Sequence, residues 1–567
     1  MDLKQEVTDF LKKYLDLSKK EIYDCLEIPP DDKFGDVSFP CFSLAKKEKL
    51  NPGAYAKQLR EKLVLPEDSI FGRVEIAGPY LNFFVNYNKF IPHLLKEINK
   101  TVSYGRGITK NETIMLEYIG ENPLKDLHIG HLRQAAIGGS LHKILDYAGF
   151  DVIPVNYYND SGLHIAKCLW AYDKFYRGKE RKIKEKGPWL GEIYVRGNKE
   201  FGVNKKVQEE VKKIHQALEK SNNKWTRLKD KLYVWSVKYF DEFHKDVDAK
   251  FKKIYRDSDF TSEGKKIVKK LEKTKYLTYE DNVPLLDLTE FGLQKTILLR
   301  SDGAALYLTK DLAMAFQRFK DFKLDRLIYI TGSEQNLNFQ QLFKTLEILK
   351  LKQASKLFHL GVELVYDRDG KKYSSREGTA ASYYSVLNNA LNVALQRIEE
   401  RNNDLILPER KKLAKKLAIG ALLYYLNKVS PKKKINFDIE QAVSFEGQTG
   451  PYLQYSYVRA LRIIEKAKIR ASPKSVTKLD SKLELDLIKK LYFFPHVVQK
   501  AAESYQPHLL AEYAFELASL FSSFYEKCSV TKVNKTLGSA RLYLVKAYLR
   551  VIEKCLKLLG IPVVNRM

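Results

Sequence analysis

Cysteine and long apolar stretches are scarce in this sequence of 567 residues, and each scarcity excludes a class of protein. The five cysteines form no CxxC pair and lie at no metal-ligand spacing from a histidine, so we expect free thiols and no structural zinc. No apolar run approaches the roughly 20 residues that a membrane-spanning helix needs. Residues 1–15 mix acids with bases and lack the apolar core of a secretory signal. Together these absences predict a soluble, cytoplasmic protein with no membrane contact.

What the sequence holds in excess is positive charge. Lys and Arg number 98 against 70 for Asp and Glu, which leaves a formal net charge of +28. Such a surplus suits a polyanionic partner, because each contact between a lysine and a phosphate releases counterions. A lysine-rich solvated surface would give the same total, so charge alone leaves both interpretations open. The hydrophobic fraction of 44% is enough for large cores, and the length predicts three or four domains of roughly 100–200 residues.

The hydrophobic pattern of the first part of the chain predicts two α/β units. Residues 1–105 combine helical stretches with two strand-like runs, which is typical of a small α/β domain. After it come an apolar strand at Ile114–Tyr118, a helix over about His131–Tyr147 and a strand at Val152–Tyr157. Strand, helix and strand in this order form a βαβ unit, so the sheet should be parallel.

The rest of the chain changes character twice. Residues 170–290 are rich in Lys and Glu and helical in period, which is typical of an insertion. Strands are predicted again at Leu306–Leu308, Leu327–Thr331 and Leu364–Tyr366. From about residue 382 to the end the pattern is almost wholly helical. The predicted fold is a Rossmann-like α/β domain with a parallel sheet at 106–381, between the small N-terminal α/β domain and a C-terminal α-helical bundle at 382–567.

A phosphate site is indicated where the first strand of the βαβ unit joins its helix. The segment Glu117–Arg133 contains an HxGH sequence at His128 and His131. The first turn of a helix offers free N–H groups and the positive end of its dipole to phosphate. Gly130 lets a ligand approach the backbone, and imidazoles three residues apart lie on one side of the helix, where they can donate hydrogen bonds to phosphate oxygens. Two ordinary capping histidines would show the same pattern.

A second candidate phosphate element is the loop Lys371–Gly378. It is basic, rich in hydroxyl groups and bounded by Gly370 and Gly378. These features suit a mobile loop that closes over a triphosphate and stabilises the leaving pyrophosphate. A charged surface turn is the alternative interpretation.

The HxGH sequence followed by this loop resembles the two nucleotide motifs of class I aminoacyl-tRNA synthetases. Further stretches resemble one family among them, the arginyl-tRNA synthetases. These stretches are Phe34–Asp36, Ala77–Phe83, Tyr307–Asp311, Gly332–Phe339, Ser444–Tyr455 and Leu559–Met567. The resemblance covers almost the whole chain, and only 170–290 is poorly matched. It implies a monomeric, cytoplasmic enzyme that activates L-arginine with ATP and Mg²⁺, requires bound tRNA for that step, and joins arginine to tRNA(Arg).

The resemblance also implies an arginine pocket. The matching residues are Glu117, Asn122, Tyr307, Asp311 and Gln335. Two acids suit this substrate, because a guanidinium presents its N–H donors in a rigid fork that carboxylates accept bidentately. Either acid by itself could instead form a structural salt bridge.

The implied ATP site and catalytic groups lie in the two nucleotide motifs. The ATP site matches His128, Gly130, His131, Gly332, Tyr373, Ser374 and Ser375, and the implied catalytic residues are His128, His131, Lys125, Lys372 and Arg376. The sequence departs from the class pattern at Ser375, where a lysine is usual, and at Tyr373, where a methionine is usual. The family often lacks that lysine, and Lys125 occupies the position of a lysine thought to replace it; Lys371 or Arg376 could share the task. Asn338 stands where the family usually has a histidine.

The implied RNA contacts lie in the two outer domains. Asn82 and Phe84 match contacts to the D-loop of the tRNA, and the residues matching the anticodon-loop site are Tyr452, Tyr455, Arg459, Tyr525 and Met567. Aromatic faces and guanidinium planes suit the stacking of unpaired bases. With 35 tyrosines in the chain, helix-core packing is the alternative for any one of them.

Three other functions compete with this interpretation. A cysteine-specific relative should carry zinc ligands, and relatives specific for large aliphatic residues should carry a longer editing insertion than 170–290. A plain nucleotidyltransferase would share HxGH but has no use for a helical domain rich in Tyr and Arg. A catalytically silent, RNA-binding paralogue would not be expected to keep both histidines and both pocket acids.

Overall fold

The computed structural model describes residues 2–29, 31–182, 185–218, 223–370, 382–401 and 405–567. Two compact units divide the chain. The first consists of Met1–Tyr104, Arg462–Tyr492 and Leu520–Arg550, and the second of Gly105–Leu461, Phe493–Ser519 and Val551–Met567.

The helices and strands follow in chain order. The helices are α1 (Leu3–Leu11), α2 (Lys19–Cys25), α3 (Phe42–Lys47), α4 (Pro52–Lys62), α5 (Tyr87–Lys100), α6 (Ile129–Tyr147), α7 (Leu163–Ala171), α8 (Lys186–Val203), α9 (Lys205–Leu218), α10 (Lys224–Asp246), α11 (Thr261–Leu271), α12 (Tyr307–Asp321), α13 (Asn336–Ile348), α14 (Tyr383–Arg401), α15 (Leu407–Asn427), α16 (Ile439–Ala442), α17 (Gly450–Lys466), α18 (Lys482–Tyr492), α19 (Phe494–Ser504), α20 (His508–Lys527) and α21 (Lys535–Leu558). The strands are β1 (Val37–Pro40), β2 (Phe71–Ala77), β3 (Tyr80–Val85), β4 (Thr113–Glu117), β5 (Asp151–Tyr158), β6 (Lys253–Arg256), β7 (Leu277–Glu280), β8 (Val283–Leu286), β9 (Thr296–Ile297), β10 (Arg326–Gly332), β11 (Leu357–Val362), β12 (Val365–Tyr366) and β13 (Ile435–Asn436).

In the first unit, an antiparallel sheet of order β1-β3-β2 packs against helices. Phe39, Leu81 and Phe83 are fully buried on its inner face. Strand residues alternate between the two faces of a sheet, so these side chains supply a core on one face, while Ser38 and Asn82 lie on the other face and are buried there as well.

In the second unit, five parallel strands form the central sheet in the order β11-β10-β4-β5-β6. Ile114, Met115 and Leu116 of β4 are all fully buried, as expected for a parallel strand covered on both faces. The chain runs from β4 through α6 to β5 on one side, while β10 lies on the other side of β4. This reversal opens a crevice at the carboxyl ends of β4 and β10, the usual ligand position in such sheets. The predicted fold class is confirmed.

Helix α6 begins at this crevice. His128 is its N-cap, and its buried stripe contains Ile137, Leu141, Ile144 and Leu145. Gly138 lies so close to Tyr118 that an added Cβ would be 2.3 Å from the ring. The helix is therefore held close to the end of β4.

The structure corrects three secondary-structure predictions. The strand predicted at Leu306–Leu308 is wrong, because α12 begins at Tyr307, and its buried Leu308, Leu312 and Ala315 recur at helical spacing. A three-residue apolar run cannot distinguish a buried helix from a strand. Strand β12 pairs with β13 and not with the central sheet. The stretch 170–290 is helical in α8–α10, but β6 then joins the central sheet. This strand was not predicted, because a short edge strand leaves little periodic signal in the sequence.

The described residues contain neither a membrane span nor a cluster of metal ligands. No described helix is long and apolar enough to cross a bilayer. The same residues contain no group of three His, Cys, Asp or Glu side chains arranged to hold a metal ion. All five cysteines are free thiols.

Candidate active site

A cavity of about 680 Å³ lies at the carboxyl ends of the central strands. Residues from the end of β4, the first turns of α6 and α12, and the segment after β10 line it. The predicted residues that it brings together are His128, Gly130, His131 and Gly332 of the ATP set and Glu117, Asn122, Tyr307, Asp311 and Gln335 of the arginine set. Predicted residues up to 218 positions apart in the sequence thus share one cavity, as the separation of Glu117 and Gln335 shows.

The two histidines are held in one tautomer. Nδ1 of His128 accepts a hydrogen bond from the Gly130 N–H at 3.1 Å, and Nδ1 of His131 accepts one from the His128 N–H at 3.2 Å. Burial, with a smaller effect of Lys125, lowers the pKa of His128 to about 4. Burial, His128 and Lys125 hold the pKa of His131 well below its usual value. Both rings are therefore neutral near pH 7 and carry their proton on Nε2, which makes each a hydrogen-bond donor.

Gly130 has a steric role in this pair. A Cβ at this position would lie 2.9 Å from the His128 ring. Because the His128 ring folds back over the first turn, with its centroid 3.9 Å from that of His131, a side chain at position 130 would push it away. The glycine therefore preserves the close contact of the two rings and also leaves the backbone open to a ligand.

The other side of the cavity is acidic. Its two predicted acids differ in whether a cationic side chain pairs with them. Oε2 of Glu117 accepts a hydrogen bond from the buried Arg318 guanidinium. Burial raises the pKa of Glu117, and Arg318 opposes this effect. Burial, followed by the nearby Asp257 and Glu117 carboxylates, raises the pKa of Asp311 to about 7. Within the described chain Asp311 has no ion-pair partner, so it is the acid best placed to receive a cationic ligand.

Uncharged groups complete the cavity. Oδ1 of Asn122 accepts a hydrogen bond from Nδ2 of Asn159 at 3.2 Å. Tyr307 is 53% exposed, and Gln335 and Asn338 are also exposed. These three side chains therefore lie at the mouth, where they can change position when a substrate enters.

Sequence reasoning missed several lining or supporting residues. Arg318 follows Asp311 by two helical turns on α12, so helical spacing could have found it. Asp257 could not have been found this way, because it comes from the stretch interpreted as an insertion. The Asp257 carboxylate accepts hydrogen bonds from the Tyr157 hydroxyl at 2.9 Å and from the Lys310 ammonium at 2.5 Å. Tyr157 and Asn159, at the end of β5, also line the cavity.

Lys125 is not among the residues that line the cavity. Lys125 lies on the loop before α6, with Nζ 4.8 Å from the centroid of the Tyr194 ring. The predicted residues Lys371, Lys372, Tyr373, Ser374, Ser375 and Arg376 lie outside the described residues. The segment leading to them is anchored, because Arg133 donates hydrogen bonds to the carbonyl oxygens of Leu364 at 3.2 Å and Lys433 at 2.6 Å.

The predicted anticodon residues of the second unit lie on α17 and the C-terminal segment. Tyr452, Tyr455 and Arg459 share one face of α17, and the Arg459 guanidinium lies 4.6 Å from the centroid of the Tyr455 ring. The neighbouring Gln454 donates a hydrogen bond to the Pro562 carbonyl at 2.7 Å. This contact holds the segment that ends at Met567 against α17.

The predicted RNA contacts of the first unit differ in exposure. Asn82 is buried, and its Oδ1 accepts a hydrogen bond from the Ser38 hydroxyl. Phe84 is half-buried beneath the Arg73 guanidinium, which lies 4.0 Å from its ring centroid. Tyr525 on α20 is 43% exposed. The roles of all three residues stay predictions, and Asn82 must turn or lose its sheet contact to reach RNA.

Known proteins match this chain along its length. Residues 92–438 match the family described as tRNA synthetases class I (R), catalytic domain; residues 453–567 match the DALR anticodon binding domain; and residues 1–85 match the arginyl tRNA synthetase N terminal domain. The arginine–tRNA ligase of Clostridium perfringens is 36% identical over 579 residues, and that of Clostridium beijerinckii is 33% identical over 576; each alignment covers 100% of both chains. The solved arginyl-tRNA synthetase of Thermus thermophilus has a TM-score of 0.83 and 27% identity, covering 100% of this chain and 99% of that one. A class I (R) catalytic domain that covers more than half of the chain, together with relatives more than 30% identical along its whole length, means that this chain belongs to the arginyl-tRNA synthetases.

Proposed function

We propose that this chain is an arginine–tRNA ligase that converts ATP, L-arginine and tRNA(Arg) into AMP, diphosphate and L-arginyl-tRNA(Arg). One observation carries the proposal: a single cavity combines two neutral histidine donors with a half-buried acid, Asp311, that forms no ion pair with the described residues. The first feature suits phosphate oxygens, and the second suits a guanidinium. The assignment to the arginyl-tRNA synthetase family supports the same reaction.

In the first step, an oxygen of the arginine carboxylate attacks the α-phosphorus of ATP, which enters as its Mg²⁺ complex. The new bond joins carboxylate oxygen to phosphorus, and the bond to the bridging oxygen breaks, so that diphosphate leaves. No protein nucleophile is needed, and the protein aligns the reactants and stabilises charge on the phosphate oxygens. The Nε2–H groups of His128 and His131 are the proposed donors to those oxygens. Lys125 is proposed to supply positive charge to the same step, and the resemblance assigns this role to Lys372 and Arg376 as well.

In the second step, a ribose hydroxyl of the terminal tRNA nucleotide attacks the carbonyl carbon of arginyl-adenylate, and AMP leaves. Class I relatives use the 2′-hydroxyl, and we carry this preference over from the resemblance. From the same resemblance we propose that tRNA must be bound before arginine is activated.

Recognition of arginine is proposed to depend on two carboxylates, of which only Glu117 is already paired with Arg318. Glu117 uses Oε2 for Arg318, which leaves Oε1 for the substrate. Asp311 supplies the second acceptor, and a bound guanidinium would stabilise its ionised form. The compact ammonium of lysine could not bridge both acids in the same planar geometry. Asn122, Gln335 and Tyr307 would orient the amino acid and close the mouth.

The outer domains are proposed to hold the tRNA. Residues 1–105 would contact the D-loop through Asn82 and Phe84, and residues 382–567 would form the anticodon-binding domain. The proposed anticodon contacts are Tyr452, Tyr455, Arg459, Tyr525 and Met567. We further propose that the enzyme acts as a monomer in the cytoplasm; the mass from light scattering with and without tRNA tests the first of these statements.

The decisive experiment is ATP–pyrophosphate exchange with each of the twenty amino acids, with and without tRNA. The proposal expects exchange with arginine alone, and only when tRNA is present. Exchange with another amino acid would contradict the specificity, and exchange without tRNA would contradict the proposed order of binding. Absence of exchange together with intact tRNA binding would identify a silent RNA-binding paralogue.

A further inference from the structure

The loop between β4 and α6, residues 118–128, has an unusual backbone. Ile119 has φ +81°, Gly120 has φ +68° and Leu124 has φ +65°. A positive φ is disfavoured for residues with a side chain, and most strongly for a β-branched one such as Ile119. Such a conformation persists only where the surrounding structure holds it in place. The same loop carries Asn122 and Lys125.

A buried polar network holds the first half of this loop. Glu121 is fully buried, and its Oε2 accepts a hydrogen bond from Nδ2 of Asn156 at 2.7 Å. Its Oε1 faces Nε2 of His244, itself buried, at 2.5 Å. Oδ1 of Asn156 in turn accepts a hydrogen bond from the Gly120 N–H at 3.1 Å. The carboxylate therefore stands between two donors, directly beside Asn122 in the chain.

Helix α10 also supports this loop. His244 lies in its last turn, Ser236 Oγ accepts a hydrogen bond from the Leu124 N–H at 2.9 Å, and the Tyr239 hydroxyl donates to Asp126 at 2.8 Å. One helix thus contacts the loop at three successive points. The contacts at Ser236 and Tyr239 flank Lys125, whereas the contact at His244 flanks Asn122.

We propose that His244 and Glu121 are positioning residues of the arginine site: they hold the strained loop so that Asn122 faces the substrate, and α10 acts as its rigid support. The proposal rests on the arginine activation proposed above. It also gives part of the stretch 170–290 a function inside the catalytic site. An uncharged amide at position 244 can donate the same hydrogen bond, whereas an alanine cannot.

The test compares His244→Ala with His244→Gln in tRNA-dependent ATP–pyrophosphate exchange, with arginine and ATP varied separately. We expect His244→Ala to raise the arginine KM about tenfold or more and the ATP KM less than twofold. His244→Gln should restore most of the arginine KM. Glu121→Gln should behave like the alanine variant, because its amide would direct N–H groups at one of the two donors it faces. In the double variant that combines His244→Ala with Glu121→Ala, the arginine KM should rise little beyond that of either single variant.

His508→Ala provides the matched control, since His508 lies on α20 outside the cavity and should leave both KM values unchanged. Thermal unfolding of every variant monitors folding. A lower melting temperature with an unchanged arginine KM, or equal changes in both KM values, would overturn the positioning role. If His244→Ala does not fold, the Gln variants decide the question by the same KM comparison. Failure of the wild-type enzyme to exchange with arginine would instead refute the proposed function.

Discussion

At the scale of single residues, the chemistry of the cavity depends on which of its side chains carry charge before a substrate enters. His128 and His131 are neutral donors because burial lowers their pKa values and backbone contacts occupy Nδ1. A neutral donor strengthens its hydrogen bond as negative charge develops on phosphate, without the strong ground-state attraction of an imidazolium. In the proposed reaction, this difference would favour the transition state over bound ATP.

Removal of one of these donors should therefore affect the rate of activation more than binding. We expect His131→Ala to lower the exchange rate by roughly 10²–10³, or about 3–4 kcal/mol, the usual effect of losing one transition-state donor. The arginine KM should change little. His142→Ala on the same helix is the control, since His142 lies outside the cavity. A small loss of rate with a large rise in the arginine KM would contradict the assigned role.

The raised pKa of Asp311 predicts a pH dependence of arginine binding. The carboxyl group is ionised above its pKa of about 7 and protonated below it, so a cation binds less well as pH falls. Between pH 8 and pH 6 the arginine KM should rise by about tenfold in total, because the slope approaches tenfold per pH unit only well below the pKa. Asp311→Asn should raise the KM at pH 8 by about tenfold to a hundredfold, the loss of a charged hydrogen bond, and abolish this pH dependence. A dependence that survives in the variant would assign the titration to another group.

At the scale of elements, α6 has two functions that constrain different parts of it. Its first turn presents the histidines, and its middle packs against the end of β4 through Gly138 and Tyr118. The neighbouring Gly139 has open space where a Cβ would stand. Adjacent glycines in one helix therefore have opposite tolerances for a side chain.

This contrast predicts opposite effects of two alanine substitutions. Gly138→Ala should lower the free energy of unfolding by about 1–3 kcal/mol, because the new methyl group collides with the Tyr118 ring. Gly139→Ala should stabilise the protein by up to about 1 kcal/mol, since alanine favours the helix. Chemical denaturation of the pair measures the difference. Equal effects of the two substitutions would show that helix propensity alone matters here.

At the scale of the whole molecule, the net charge of +28 is complementary to the negatively charged RNA partner of an arginyl-tRNA synthetase. Each phosphate contact adds roughly 0.7–0.9 to the slope of log affinity against log salt. With four or more contacts, tRNA affinity should fall about a hundredfold between 50 and 200 mM salt. The arginine KM, measured at saturating tRNA, should change much less, because the cavity groups are shielded from salt. A tRNA affinity that does not depend on salt would mean that the charge serves solvation only.

The sequence by itself predicted the strand, helix and strand that begin the central sheet and nine of the residues that line the cavity. A parallel sheet followed from a strand, helix and strand at Ile114–Tyr157, and the apolar run in β4 is buried on both faces as that pattern requires. The proximity of the two HxGH histidines could be predicted because it depends only on local spacing at a helix start. The short strand at Leu306–Leu308 was wrong, because three residues contain too little periodicity to distinguish a strand from a helix.

Only the tertiary structure decided the state of those residues. The pairing of Glu117 with Arg318 joins positions 201 residues apart, and Asp257 reaches Asp311 from a stretch with no motif. The charge on Asp311, the tautomer of the histidines and the contact of His244 with Glu121 depend on burial and on neighbours contributed by distant segments. Residue types are fixed by the sequence, whereas protonation and hydrogen-bond direction are fixed by the local dielectric and by which polar atoms the fold brings together.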